Sequence, residues 1–432
     1  MTRAEIQKQA LNQLKANNYI GTICLSTGSG KGLVAINAIK EGNFKNILIT
    51  SPRTNLKEMW KTELNKWNIT QQLITLFWIE TMYENIPINI TIENIQTCYK
   101  WDEEILKTFD LIILDEIHTI TSPEYGRLIT VAKSANIARI GLTATPSLHD
   151  DFKKFFYDNY IPIVYEYYDS AKDGIINKRQ YYIYKYKLTD DYKIIAGTKA
   201  KPFNVGEATQ YSYLSDQIKK GQLLMSRTGS KDWFNDAAEW AWKGLGTSSQ
   251  KSAAMTYLNA IKYRKSFLWN LSSSADIAIK IKKKILTEFK GIYTYTGDSM
   301  NSNKVLLFSE LTTQAEKLSV YSIHSKQNEE TNKKLLQMFD DDEIRELSSV
   351  RSLTLGLNIK GANWAIMESY NSSPTDIIQK LGRTDRLSKD DVANVVILVP
   401  EGTQANEWFN KFSESLDLSE ALYINNINEI KI

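Results

Sequence analysis

The stretch LSTGSGKG at 25–32 joins an apolar run to a segment with helical spacing. Its glycines leave backbone N–H groups free to cradle phosphate oxygens, and Lys31 follows where its ammonium group can reach the outer phosphates of a nucleotide. Gly32 departs from the usual pattern, because a Ser or Thr hydroxyl at that position ligates Mg²⁺. The stretch therefore predicts a phosphate-binding loop, and a flexible turn with a solvated lysine is the alternative.

An acidic pair, Asp115 and Glu116, directly follows the apolar run LIIL at 111–114. In a parallel sheet that position is the carboxyl edge, where ligands bind. One carboxylate there can hold Mg²⁺ while the other orients an attacking water, which are the roles that phosphoryl transfer requires. A polar cap on a strand is the alternative interpretation.

The stretch GLTATPS at 141–147 closes another short apolar run. Small hydroxyl residues followed by proline favour a tight loop. We interpret this loop as a coupling element between the first domain and its neighbour. An ordinary strand-ending turn is an equally good interpretation from these residues alone.

The stretch QKLGRTDR begins at Gln379 and contains two arginines. Helical spacing predicts that Gln379, Arg383 and Arg386 share one helix face. Arginines presented by a second domain suit the stabilisation of charge on a transferring phosphate. A solvated basic helix face is the alternative.

The elements that position these residues alternate along the chain between apolar, strand-like runs and helical patterns. The apolar runs of the first third lie at 20–25, 46–50, 111–114 and 139–142. A similar alternation returns with runs at 305–308, 320–323, 364–367 and 395–399. Such alternation predicts crossover units and parallel sheets covered by helices. Two regions of this kind predict two α/β domains.

The region between these two parts has a different composition. Residues 195–250 are polar and weakly periodic, and we interpret them as an insertion or a mobile accessory segment. Residues 252–290 have a helical pattern with a basic face, formed by Lys280, Lys282, Lys283 and Lys284. This face predicts a solvated helix surface, and a second phosphate-binding strip is the alternative.

The composition of the 432 residues excludes several classes of protein. Two cysteines exclude a disulfide scaffold and suit a reducing cytoplasm, and three histidines without zinc spacing argue against a structural metal. No apolar run has membrane-spanning length. The net charge of +3 is too small to indicate a nucleic-acid partner by itself. We therefore expect a soluble protein without a membrane partner, in the cytoplasm of a bacterium or of a phage-infected host.

In this order, the four stretches resemble motifs of the superfamily 2 helicases and translocases. Further stretches resemble their motifs Ia, Ib, IV and V: ILITSPRTNLKEMW, ITIENIQT, VLLFSE with IHSK, and SVRSLTLGLNIKGANWAIM. The resemblance covers about 1–150 and 303–400. It implies an α/β protein with two RecA-like domains, each built on a parallel, helix-covered sheet. The domains are expected at 1–167 and 168–432, the second containing the accessory insertion at about 195–250 and a C-terminal extension at 401–432.

The resemblance also implies ATP and Mg²⁺ as cofactors and assigns roles to individual residues. The implied nucleotide-binding residues are Gln7, Thr27, Gly28, Ser29, Gly30, Lys31, Gly32 and Gly356, and Asp115 is the implied metal ligand. The implied catalytic residues are Lys31, Glu116, Gln379, Arg383 and Arg386. The implied nucleic-acid contacts are Arg53, Thr97, His324 and Ser325, and the implied interdomain coupling residues are Thr143, Ala144 and Thr145.

Within the superfamily, LTATP and the Gln of QKLGRTDR resemble DNA translocases, including RecG-like and phage UvsW-like helicases, more than DEAD-box RNA helicases. The resemblance implies an ATP-dependent DNA helicase or translocase that acts on single-stranded, forked or branched DNA in replication, recombination or repair, beside other proteins of those processes. An RNA helicase or transcript-release factor is one alternative. A nucleotide-gated binding protein with little hydrolysis is another, because Gly32 lacks the hydroxyl.

Overall fold

The computed structural model describes most of the chain. The described residues are 1–52, 55–67, 70–75, 78–83, 86–120, 122–146, 148, 150–168, 172–198, 201–287, 303–350, 359, 361–384 and 391–432. Three predicted site residues, Arg53, Gly356 and Arg386, lie outside them. Among the described residues, no helix is both long and apolar enough to cross a membrane.

The first sheet contains eight strands. They are β1 (Ile20–Leu25), β2 (Asn46–Ser51), β3 (Thr70–Thr75), β4 (Trp78–Tyr83), β5 (Ile86–Asn94), β6 (Leu111–Asp115), β7 (Ala138–Thr143) and β8 (Ile163–Tyr167). Their order is β3-β4-β5-β2-β6-β7-β1-β8. The pairs from β5 to β8 are parallel, and β4 pairs antiparallel with both β3 and β5.

Seven helices accompany this sheet in the described part of the chain. They are α1 (Arg3–Ala16), α2 (Lys31–Glu41), α3 (Asn55–Lys66), α4 (Ile95–Cys98), α5 (Glu103–Leu106), α6 (Pro123–Ser134) and α7 (Asp151–Tyr160), with a 3₁₀ turn at Ile117–Thr119. Strand β6 shows why the sheet is covered on both faces. Leu111 and Ile113 pack into one core cluster, whereas Ile112 and Leu114 pack into another. Because alternate residues of a strand point to opposite faces, a wholly apolar run needs cover on both sides.

The second half of the chain contains nine further strands. They are β9 (Lys178–Lys187), β10 (Lys193–Thr198), β11 (Lys201–Gly206), β12 (Val305–Ser309), β13 (Ser322–Ile323), β14 (Glu346–Val350), β15 (Trp364–Met367), β16 (Val392–Glu401) and β17 (Leu422–Ile424). Seven of them form a sheet in the order β13-β14-β12-β15-β16-β9-β17, and β10 and β11 form a separate antiparallel hairpin. The pairs from β13 to β16 are parallel. The prediction of two α/β, RecA-like sheets is confirmed.

The helices of this half follow the same chain order. They are α8 (Glu207–Arg227), α9 (Trp233–Trp242), α10 (Ser248–Leu268), α11 (Ser272–Thr287), α12 (Thr312–Leu318), α13 (Glu329–Asp340), α14 (Pro374–Leu381) and α15 (Gln404–Ser413), with a 3₁₀ turn at Ile427–Glu429. The chain divides into two compact units. The first contains Met1–Arg179, Leu353–Gly361 and Ile378–Ala393, and the second contains Gln180–Ser352, Ala362–Ile377 and Asn394–Ile432.

The segment 195–250, interpreted from the sequence as weakly periodic, holds helices α8 and α9 and the first residues of α10, which packs against them. Their shared core consists largely of small residues, and Ala237, Ala253 and Ala254 are among its buried members. A Cβ atom on Gly221 of α8 would lie 2.8 Å from the Cα atom of Tyr257 in α10, so only glycine permits this close approach. In α8 the buried residues Leu214, Ile218, Gly221 and Met225 recur at helical spacing, whereas Ala237 is the buried residue of α9, so the apolar periodicity is weak in α9 alone.

The predicted basic face of α11 is wrong for two of its four lysines. Lys282 is buried, and its Nζ donates to Leu318 O at 2.6 Å and lies 2.9 Å from a Glu346 carboxylate oxygen. Lys284 Nζ donates to the carbonyl oxygens of Ile427 and Ile430 at 3.1 and 2.9 Å. These ammonium groups bind internal partners, so they form neither a solvated surface nor a phosphate-binding strip.

We predict that Lys282→Ala destabilises the protein while Lys283→Ala, at the exposed neighbouring position, does not. Removing one partner of a buried ion pair leaves the other charge uncompensated and costs about 3 kcal/mol or more. Urea unfolding of both variants measures the difference. Equal free energies of unfolding for the two variants would show that Lys282 belongs to a solvated surface after all.

Candidate nucleotide site

The loop between β1 and α2 has the backbone that its glycines permit. Gly28 and Gly30 have φ angles of 83° and 89°, in the left-handed region that side chains with a Cβ rarely adopt. A Cβ on Gly30 would also overlap Nε2 of Gln7. Helix α2 begins directly at Lys31, so its free N–H groups and positive dipole end face the loop. This geometry suits an anion such as a phosphate.

Gln7 of α1 contacts the loop itself. Its Nε2 donates to Ser29 O at 2.9 Å, and Ser29 is buried with its Oγ 2.7 Å from Ser26 Oγ. Lys31 Nζ donates to Leu25 O at 3.2 Å, which returns the lysine side chain to the end of β1. These bonds fix the loop conformation. The predicted contact of Gln7 with the nucleotide stays a prediction.

The acidic pair lies where β6 ends. Asp115 is buried, and its Oδ2 accepts a hydrogen bond from Trp60 Nε1 at 3.0 Å while its Oδ1 accepts one from the Glu116 backbone N–H at 3.0 Å. Glu116 has a φ of 49°, which turns the chain sharply into the 3₁₀ turn that follows. Its Oε2 has no hydrogen-bond partner within the described part of the chain.

Burial governs the electrostatics of this pair. Burial, as the largest cause, and the negative charge of Glu116 together raise the pKa of Asp115 to about 7, although the Trp60 indole and Lys31 oppose the shift. Burial also raises the pKa of Glu116, while the positive charges of Lys31 and Arg383 lower it. Two carboxylates in a poorly solvated site favour a bound cation that compensates their charge. The donor set therefore fits Mg²⁺, which prefers carboxylate oxygens and retains several waters.

The coupling loop at 143–145 meets the acidic pair through a histidine. His118 Nδ1 lies 2.9 Å from Thr143 Oγ1 and 3.4 Å from Glu116 Oε2. Thr143 Oγ1 also accepts the backbone N–H of Thr145 at 3.1 Å, and Ala144 is buried between the two threonines. A displacement of the loop would therefore move His118 and change its contact with Glu116. His118 thus connects the loop to Glu116 by direct contacts, and the coupling role of the loop stays a prediction.

The helix predicted to present Gln379, Arg383 and Arg386 on one face ends before Arg383. Helix α14 ends at Leu381, and the next two N–H groups bond three residues back, from Arg383 to Lys380 O and from Thr384 to Leu381 O. This tightening into 3₁₀ geometry changes the direction of Arg383 relative to Gln379. Arg386 lies outside the described residues.

The chain after α14 nevertheless reaches the phosphate-binding loop, inside the same compact unit. A Cβ on Gly382 would lie 2.5 Å from Thr27 Cγ2, so glycine is required for this approach. Arg383 is 7% exposed and its charge acts on Glu116. Gln379 is equally buried, and its Nε2 has no hydrogen-bond partner in the described part of the chain. The structure thus gathers Lys31, Glu116 and Arg383.

The described residues predicted to contact nucleic acid are divided between the two compact units, and their contact with nucleic acid stays a prediction. Thr97 is exposed on α4 of the first unit, and Ser325 is exposed in the second. His324 is buried, with Nε2 3.3 Å from Glu316 Oε1, and its carbonyl accepts a hydrogen bond from Asn332 Nδ2 at 3.1 Å. This geometry favours a structural role for His324 over contact with a ligand.

Sequence reasoning missed Trp60 and His118 as parts of the site. Trp60 fits the apolar spacing of α3, and nothing in that spacing reveals that its indole N–H donates to Asp115. The six-membered ring of Trp60 also lies beside the altered loop position. Among the described residues, a Cβ on Gly32 would meet only Trp60 Cη2, at an ordinary contact distance of 3.9 Å. Trp60 therefore orients Asp115 from the side where the usual loop hydroxyl is missing.

Comparison with known protein families gives two matches. Residues 1–148 match the family of the type III restriction enzyme, res subunit, and residues 282–388 match the helicase conserved C-terminal domain. The chain is 25% identical over 388 residues to the DNA 3'-5' translocase XPB2 of Sulfurisphaera tokodaii, covering 89% of this chain and 78% of that protein. It is 28% identical over 131 residues to the probable helicase D10 of Escherichia phage T5, covering 30% of this chain and 28% of that protein.

Two solved structures share the fold. S. cerevisiae Dbp5 bound to RNA and ADP BeF3 has a TM-score of 0.55 and 13% identity, covering 97% of this chain and 89% of that one. The Pyrococcus furiosus Hef helicase domain has a TM-score of 0.54 and 15% identity, covering 93% of this chain and 96% of that one. At these identities the likeness concerns the fold alone.

We predict that Trp60→Phe raises the Mg²⁺ concentration needed for half-maximal nucleotide hydrolysis by about 10-fold, because a hydrogen bond to a charged group is lost. Adding Gly32→Thr to that variant should lower the required Mg²⁺ concentration again, because the threonine supplies the missing hydroxyl. Titration of Mn²⁺ binding by electron paramagnetic resonance follows the same shift without turnover.

The matched control is Trp67→Phe, which removes an indole N–H that donates to Glu63 at 3.2 Å, away from the site. A metal requirement that is unchanged in Trp60→Phe, or equally changed in both variants, would contradict the role of Trp60.

Proposed function

The chain belongs to superfamily 2 of the ATP-hydrolysing helicases, and from this premise we propose that it couples ATP hydrolysis to movement along DNA. The observation that carries the proposal is the gathering of Lys31, Asp115, Glu116 and Arg383 at one edge of the first sheet. The similarity to a protein described as a DNA 3'-5' translocase extends over 89% of this chain and favours DNA as the track.

The proposed chemistry divides the work among these side chains. Lys31 and the N–H groups of the loop hold the phosphates of ATP, and Asp115 holds Mg²⁺, which neutralises phosphate charge. Glu116 orients a water for attack on the outer phosphate and accepts its proton, and its raised pKa suits that second role. Arg383 stabilises the charge that develops on the transferring phosphate. His118 and Thr143 transmit the state of Glu116 to the coupling loop.

Gly32 does not remove the capacity for hydrolysis in this proposal. Mg²⁺ retains water readily, so a water can take the place of the missing hydroxyl. Trp60 meanwhile holds Asp115 by a 3.0 Å hydrogen bond. The nucleotide-gated binding protein remains the second candidate, because Gly32 is the one departure of the loop from its usual pattern.

The proposed substrate is single-stranded, forked or branched DNA. The proposed activity belongs to replication, recombination or repair, with other proteins of those processes as partners. We place this activity in the cytoplasm of a bacterium or of a phage-infected host. The similarity to a phage helicase supports that source, over 30% of the chain. RNA is the less favoured track.

The test compares phosphate release in the presence of single-stranded DNA, duplex DNA, forked DNA and RNA. We expect DNA to stimulate release more than RNA, with the forked molecule most effective, and we expect Lys31→Ala to abolish release with every nucleic acid. If RNA alone stimulated phosphate release, RNA would be the track instead of DNA. ATP binding without release above the Lys31→Ala level would establish the nucleotide-gated binding protein instead.

A further inference from the structure

The segment Lys193–Leu268 carries a charge that the remaining chain lacks. It contains twelve Lys and Arg residues and five Asp and Glu residues, a net charge of +7. Since the whole chain has a net charge of +3, all other residues together have a net charge of −4. The segment comprises the β10–β11 hairpin and helices α8 to α10 of the second unit. Concentrated positive charge of this kind attracts a polyanion.

Helix α9 adds a row of exposed aromatic side chains to this basic segment. Phe234 is 52% exposed and Trp242 is 70% exposed. They are eight residues apart with Ala238 midway, so the three lie on one face of the helix. Ala237, Trp240 and Ala241 of the same helix pack into the helical core. Large aromatic rings left in water on a folded helix indicate a binding surface.

We infer that the Phe234–Ala238–Trp242 face of α9 binds single-stranded nucleic acid by stacking bases on its two rings. The small Ala238 leaves space between the rings, which lie about 12 Å apart along the helix axis at 1.5 Å per residue. Exposed Lys231 precedes the helix, and exposed Lys243, whose Nζ lies 3.6 Å from Glu239 Oε1, follows it. Because such an exposed ion pair is weak, both lysines can still meet a sugar–phosphate backbone. Aromatic stacking combined with backbone cations gives binding without sequence preference.

The charge decides between a nucleic acid and an apolar protein partner. An apolar partner would gain nothing from the net charge of +7 on the segment that carries the rings, whereas a phosphate backbone would. This inference rests on the proposed function, since it assigns a second contact with the same track. It concerns the second unit, whereas the nucleotide site belongs to the first.

The test uses the full chain and a fluorescent oligothymidylate, with affinity measured by anisotropy. We expect the Phe234→Ala/Trp242→Ala double variant to bind at least about 10-fold more weakly, because each stacked base is lost. The salt dependence of binding should be unchanged, since no cation is removed. Phosphate release without nucleic acid should also be unchanged. The matched control is Phe155→Ala, which removes a ring that is also 52% exposed but lies on α7 of the first unit.

A second variant, Phe234→Tyr/Trp242→Phe, keeps both rings and should keep the affinity. Parental affinity in the double alanine variant, or an equal loss in Phe155→Ala, overturns the inference. An equal loss of affinity for duplex DNA also overturns it, because paired bases cannot stack on the rings. The proposed function fails separately, if the unmodified chain binds the oligonucleotide but no nucleic acid stimulates its phosphate release.

Discussion

The site depends on the balance between a buried carboxyl, Asp115, a partly buried one, Glu116, and the cations that face them. Burial raises the pKa of both Asp115 and Glu116, and the charges of Lys31 and Arg383 act in the opposite direction. This balance exists only at the carboxyl edge of the first sheet, where β6 ends in the acidic pair and β1 ends in the loop that carries Lys31. Parallel strand pairing between β6, β7 and β1 brings these ends together.

The altered loop position shows how the same site tolerates a departure from its usual pattern. Gly32 supplies no hydroxyl, and Trp60 donates its indole N–H to Asp115 from the neighbouring helix. The ring of Trp60 lies next to the space above Gly32 without filling it, since a Cβ there would still be at 3.9 Å. A bulky residue in α3 and a small one in the loop thus form a complementary pair around the metal ligand.

Much of the site could be predicted because its residues follow directly on strands. Asp115 and Glu116 end the wholly apolar run of β6, and Lys31 begins the helix after β1, so the alternation of strands and helices already places them on one edge. Features that depend on distant parts of the chain could not be predicted. Lys282 reads as one of a row of helical lysines, but its carbonyl partner, Leu318, lies on another helix. Helix α14 ends before Arg383 although helical spacing continues in the sequence.

Single-turnover release of phosphate from bound ATP tests the central claim most directly, when Arg383→Ala is compared with Arg345→Ala. Both changes remove an arginine, but Arg345 is exposed in the second unit, whereas Arg383 is buried and its charge acts on Glu116. The account predicts that Arg383→Ala slows release on the order of 10³-fold while ATP affinity changes little, because the arginine acts on charge in the transition state. Arg345→Ala should match the unmodified chain. Near-normal release by Arg383→Ala would contradict the account, since the two carboxyls and Lys31 would then hydrolyse ATP without that arginine.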